Sequence, residues 1–179
     1  PGDVISFQTP NWVEAAVINL AAALAGYVIN PIVIIYRDAE VELMLADSRS
    51  RLLFVAEAFR GHDFQAMVAR IRPRLPDLRH IFYVRGGGRN TYETLLAAGR
   101  GRPPPSLEVD PNWIKLLLYT SGTTGRPKGV LHSHNTITSV VEGMARHWGI
   151  QDNDAVLTPS PVTHITGYCN GLESPGDHL

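Results

Sequence analysis

Ten consecutive residues, Thr120-Ser-Gly-Thr-Thr-Gly-Arg-Pro-Lys-Gly129, hold four hydroxyls, three glycines and one lysine. Small residues let backbone N–H groups converge on an anion, hydroxyls donate to it, and lysine adds a point charge. Phosphate, most naturally that of a nucleotide, is the ligand this combination fits. The string is not a Walker A loop, because Lys128 is preceded by Pro127 and followed by Gly129 where that loop requires Gly-Lys-Ser/Thr. Composition alone would equally describe a flexible Gly/Ser/Thr surface loop.

Two other features invite chemistry and carry less. His132 and His134 form a His-x-His pair, but in an extended segment alternate residues share a face whether or not a metal is bound, and no clustered carboxylate or cysteine joins them. The single cysteine, Cys169, has no neighbouring base or motif and reads as a small packed hydrophobe.

The elements that position the loop follow from periodicity. Asp3–Phe7 reads as a strand, Pro10-Asn11 as a turn with Asn11 as N-cap, and 12–25 as a helix with Val13, Ala16, Val17, Leu20, Ala21 and Leu24 at helical spacing, closed by Gly26. Strands are expected over 27–30, 51–56, 79–84 and 113–119, with helices over 38–48, 64–71 and 91–98. Strands alternating with helices predict an α/β fold: layered βαβ units around a mainly parallel sheet. Turn-rich breaks fall at 86–88 and 100–105, and the region 99–111 is either a subdomain boundary or a long surface loop.

Composition bounds the function. With 44% apolar and 18% charged residues, the chain can bury a core, and a formal net charge of −1 gives no electrostatic reason to bind nucleic acid. One cysteine rules out an internal disulfide framework and suits a reducing compartment, so a cytoplasmic location is expected. Residues 15–36 carry no charge over 22 positions, long enough for a membrane span. Gly26 and Asn30-Pro31 interrupt that stretch, and the β-branched run 32–35 reads as extended chain, so no span is expected. The chain opens on Pro1 and runs at once into a strand, as a piece of a larger protein would.

The segment Tyr119–Gly129 closely resembles the phosphate-loop signature of the adenylate-forming superfamily, the group of acyl-CoA synthetases, peptide-synthetase adenylation domains and luciferases. Pro161-Val-Thr-His164-Ile-Thr-Gly167 is similar to that family's next motif, and residues 19–56 resemble the region upstream of the loop in acyl-CoA synthetases. The resemblance implies part of the large N-terminal domain of such an enzyme. It also implies a two-step reaction: a carboxylate attacks the α-phosphorus of ATP to give an acyl-adenylate and pyrophosphate, and the thiol of coenzyme A then displaces AMP. By resemblance, Thr120, Ser121, Gly122, Thr123, Thr124 and Gly125 hold the β- and γ-phosphates, and Lys128 adds charge beside the departing pyrophosphate. Thr120 is the candidate ligand to magnesium. His164 is expected on the wall between acyl and adenylate pockets, the other reading being a helix-start histidine satisfied by backbone groups.

Family members run to about three times this length, so the C-terminal domain and the adenine- and ribose-binding motifs are expected to lie outside this sequence. The chain alone is therefore not expected to complete the reaction. A sheet cut part-way would leave an open edge, from which self-association is expected. The competing readings are an inactive nucleotide-binding module and a scaffold with a tether-like loop.

Overall fold

In the computed structural model, which describes residues 1–120, 127–151 and 154–174, strand and helix alternate as the periodicity predicts. β1 (Val4–Gln8) leads to α1 (Val13–Leu24), and β2 (Val28–Pro31) to α2 (Asp38–Asp47). β3 (Leu52–Ala56) is followed by a small hairpin, β4 (Ala58–Phe59) and β5 (His62–Asp63), and by α3 (Phe64–Ile71). Then come β6 (His80–Val84), α4 (Tyr92–Gly99), β7 (Ile114–Thr120), β8 (Lys128–Ser133) and α5 (His134–Trp148). The short α6 (Ile165–Tyr168) runs on into a π-helical turn, Cys169–Glu173.

The main sheet has the order β6-β3-β1-β2-β7-β8. Its neighbours are parallel except for the last pair, β7 with β8, which is antiparallel. Parallel pairing requires long crossovers, and α1, α2, α3 and α4 lie in them. Two apolar clusters cover the sheet. One joins α2 and α3 to β3 through Val41, Met44, Leu45, Leu53, Phe64, Met67 and Ile71, none more than 2% exposed. The other joins α1, α4, α5 and α6 to β1, β2 and β7 through Phe7, Ile18, Ile29, Leu116, Ile137, Val141 and Tyr168.

Four local expectations change. Asn11 is not a helix cap: Trp12 occupies that position without a side-chain cap bond, and the Asn11 amide bonds a distant loop instead. Residues 32–35 are not extended; Gln8 Nε2 donates to the carbonyls of Val33 and Tyr36, both at 3.1 Å, and folds the run into a turn. His134 begins α5 rather than continuing an extended segment, so it does not alternate with His132 on one strand face. The hairpin β4–β5 has no counterpart in the apolar pattern; Arg60 and Gly61, at φ +49° and +77°, are both in the left-handed region that a tight two-residue hairpin turn demands.

The uncharged stretch 15–36 is divided among α1, β2 and a turn, and among the described residues no helix is long and apolar enough to cross a membrane. Residues 100–112 join α4 to β7 without regular structure.

Candidate functional site

The phosphate-type loop opens from the end of β7. Leu116, Leu117 and Leu118 are buried in the sheet, and the chain reaches the surface at Thr120. It re-enters at Lys128, paired directly opposite Thr120 across the antiparallel ladder. Among the described residues Thr120 Oγ1 makes one long contact, 3.5 Å, to the Lys128 carbonyl, and Thr120 and Lys128 are both exposed. Ser121, Gly122, Thr123, Thr124 and Gly125 lie outside the described residues.

Tyr119 fixes the strand end that Thr120 extends. Its hydroxyl donates to Asp47 Oδ2 at 2.8 Å, tying β7 to the end of α2. Burial, the bond to that carboxylate and its negative charge push the phenol well above its ordinary range, so Tyr119 remains a neutral donor. Gly129 allows the close return of β8, because a Cβ there would meet Leu117 Cδ1 at 2.8 Å.

His164 is the N-cap of α6 and makes no side-chain capping bond. Its backbone N–H donates to the Pro161 carbonyl at 2.9 Å, and its carbonyl accepts from Tyr168 N at 2.7 Å. These bonds satisfy the main chain and leave the exposed imidazole uncommitted to the turn. The Pro-x-x-His-x-x-Gly spacing has a steric cause at Gly167, where a Cβ would meet the Pro161 carbonyl oxygen at 2.1 Å. Asn11 holds the approach to this turn: Nδ2 donates to Ser160 O at 2.8 Å and Thr158 O at 3.4 Å, and Oδ1 accepts from Val162 N at 2.9 Å.

Thr120 and His164 meet on one cavity of about 230 Å³. Val33 and Tyr36 from the turn after β2 line it, with Leu118 and Tyr119 of β7 and Thr163 and Ile165 beside the histidine. It sits beyond the carboxyl ends of the adjacent strands β2 and β7, the usual place for ligands in open α/β sheets. Sequence reasoning found Thr120 and His164 but missed Val33, Tyr36 and Thr163. The first two are brought in by the Gln8 staple, a contact between residues more than twenty apart that no local pattern announces. Lys128 is at the loop's exit and is not among the cavity-lining residues.

Cys169 is buried in the α1/α5/α6 cluster. Burial, with the Glu173 carboxylate nearby, raises its thiol above the ordinary range, the opposite of what a nucleophile needs. Among the described residues, no three His, Cys, Asp or Glu side chains converge as a metal site.

A sequence model of the AMP-binding enzyme family matches residues 1–175. A medium-chain fatty-acid–CoA ligase of Escherichia coli is 28% identical over 177 residues, covering 97% of this chain and 31% of the ligase. A sulfoacetate–CoA ligase of Cupriavidus necator is 31% identical, covering 93% of this chain and 31% of that enzyme. The crystal structure of acetoacetyl-CoA synthetase from Streptomyces lividans superposes with a TM-score of 0.82 at 25% identity, over 96% of this chain and 29% of that one. The chain thus spans about a third of the length of the relatives it matches.

Proposed function

Since the chain belongs to the AMP-binding enzyme family, among adenylate-forming CoA ligases, we propose that it contributes the phosphate-binding and carboxylate-gating part of an acid–thiol ligase. The reaction joins a carboxylic acid to the α-phosphorus of ATP, releases pyrophosphate, and passes the acyl group from AMP to coenzyme A. One observation carries the reading: Thr120, from the phosphate-type loop, and His164, from the second motif, line the same cavity.

The difficulty of the first step is that two anions must be brought together, so the work left to the protein is positioning and charge neutralisation. Ser121 to Gly125 would contribute backbone N–H groups and hydroxyls to the β- and γ-phosphates. Lys128, at the exit of the same loop, would neutralise charge on the departing pyrophosphate rather than touch the carboxylate. His164 would orient the carboxylate, since its main chain is satisfied within the turn and its imidazole is exposed. Thr120 would offer magnesium one exposed hydroxyl oxygen, the ligand type that ion takes. When bound, that ion offsets phosphate charge.

The relatives' names span a medium-chain fatty acid and sulfoacetate, so the acid remains to be identified by experiment. The test is carboxylate-dependent exchange of labelled pyrophosphate into ATP, with a panel of acids, by the protein that carries this chain. Exchange is expected with one acid class and is expected to fall at least tenfold in Lys128→Ala and Thr123→Ala, a loss of about 1.4 kcal/mol or more in transition-state stabilisation. A rate of exchange unchanged in both variants overturns the assignment of the loop. Nucleotide binding without exchange for any acid would instead leave an inactive binding module.

A further inference from the structure

Behind α6 lies a buried polar network that the reaction as derived does not use. Lys115 of β7 and Glu173 of the final turn form an ion pair, and their side chains are only 11% and 12% exposed. The second oxygen of Glu173, Oε1, accepts from Asn19 Nδ2 of α1 at 2.7 Å. Asn19 Oδ1 in turn accepts from the hydroxyl of Tyr168, a fully buried residue that ends α6, at 2.7 Å. Four separate elements thus meet through one ion pair and two side-chain hydrogen bonds.

We propose that Lys115, Glu173, Asn19 and Tyr168 form a strut that sets where His164 stands relative to Thr120, and so are positioning residues for adenylation. The proposal rests on the function assigned above. Its reasoning begins with α6, which has four residues and cannot hold its own direction without tertiary contacts. Upstream, the segment is fastened to the start of α1 by Asn11; downstream, it is fastened to the middle of α1 and to β7 by the network. His164 lies between the two fastenings. Lys115 stands five residues before Thr120 on the same strand, roughly 17 Å at the usual rise, and β7 is braced by β2 on one side and β8 on the other. Both residues that border the cavity are therefore referenced to one cluster.

The choice of an ion pair supports a positional role. A buried pair seldom holds a fold better than an apolar pair of similar volume. What it adds is direction: one carboxylate takes donors from β7 and α1 at once, so the final turn can neither slide nor rotate without losing one of them.

The deciding experiment uses the protein that carries this chain, in wild-type form and with the double substitution Lys115→Met and Glu173→Leu. Melting temperature, exchange kinetics and the His164 imidazole resonances are measured together. The strut predicts, in a protein that stays folded, exchange slower by about tenfold or more and shifted His164 resonances. A purely structural pair predicts wild-type rates and resonances whatever the melting temperature, and that result overturns the proposal. Should the double variant fail to fold, Tyr168→Phe, which removes one hydroxyl, is decided by the same readouts: the strut predicts slower exchange and a moved His164 signal, and wild-type values for both overturn it. A wild-type protein without exchange for any acid would defeat the proposed function, while the His164 resonances would still report on the strut.

Discussion

The two faces of the sheet are covered in different ways. On the α2/α3 face, Met44, Leu45, Phe64, Met67 and Ile71 are essentially sealed, and the Tyr119–Asp47 bond ties α2 to β7. On the other face, α1 leaves Val13, Leu20 and Leu24 more than half exposed, α5 buries only Ile137 and Val141, and α6 is held largely by amides, a phenol and an ion pair. Both faces bury a large apolar cluster, and the first is the more completely sealed by its helices. The second carries α6 and the His164 turn, which Asn11 and the Asn19–Glu173–Lys115 network also hold by directional bonds that fix orientation.

Breaking each face should therefore have unlike consequences. The largest effect is expected from Phe64→Ala, which empties a sealed site and should cost about 3–5 kcal/mol in urea denaturation, whereas Leu20→Ala, on the open stripe of α1, should change stability by less than about 0.5 kcal/mol. Equal losses at the two sites would erase the contrast. Asn11→Ala is expected to cost about 1–2 kcal/mol, because it removes the bonds that hold 158–162. Hydrogen exchange should locate that loss in residues 158–168 and leave β3 protected.

The smallest effect is electrostatic. Arg85 pairs with Glu14 on α1 and holds the Glu14 carboxyl below the usual carboxylate range. A carboxyl lowered by folding adds stability above its unfolded value, about 4.3, and loses that contribution as pH falls through the folded value. Stability should thus decline as pH drops below about 4, and Arg85→Met should flatten the decline only slightly, since the guanidinium is half exposed. An identical pH profile in the variant would remove the pair from the account.

The same contrast explains what the sequence revealed. α3 falls at 64–71 as the apolar spacing predicts, β3 and β6 begin one residue later than predicted, and β1 and β7 are shifted by one residue at both ends, because sealed apolar faces leave a periodic trace. α5 leaves one too, with Ile137, Val141 and Met144 at helical spacing, but its local propensity is weak. α5 escaped notice since Thr136, Ile137, Thr138, Val140 and Val141 are β-branched and weak helix formers; what sustains it is the Ser133 cap on Thr136 N and Gly149 at φ +66°. Asn11 reads as a cap locally and is a staple to residues almost 150 positions away. At the site, Thr120 and His164 were legible through motifs, while Val33, Tyr36 and Thr163 depend on the fold to reach the cavity.

The central claim is that Thr120 and His164 serve one reaction from the lining of one cavity. Its most direct test is acid-dependent pyrophosphate exchange by the protein that carries this chain, in wild-type, Thr120→Val and His164→Ala forms. Both residues are exposed, so both variants should keep the wild-type melting temperature. Exchange should fall at least tenfold in each, with His164→Ala raising the KM for the carboxylic acid and Thr120→Val that for ATP. Wild-type exchange in both variants would contradict the claim.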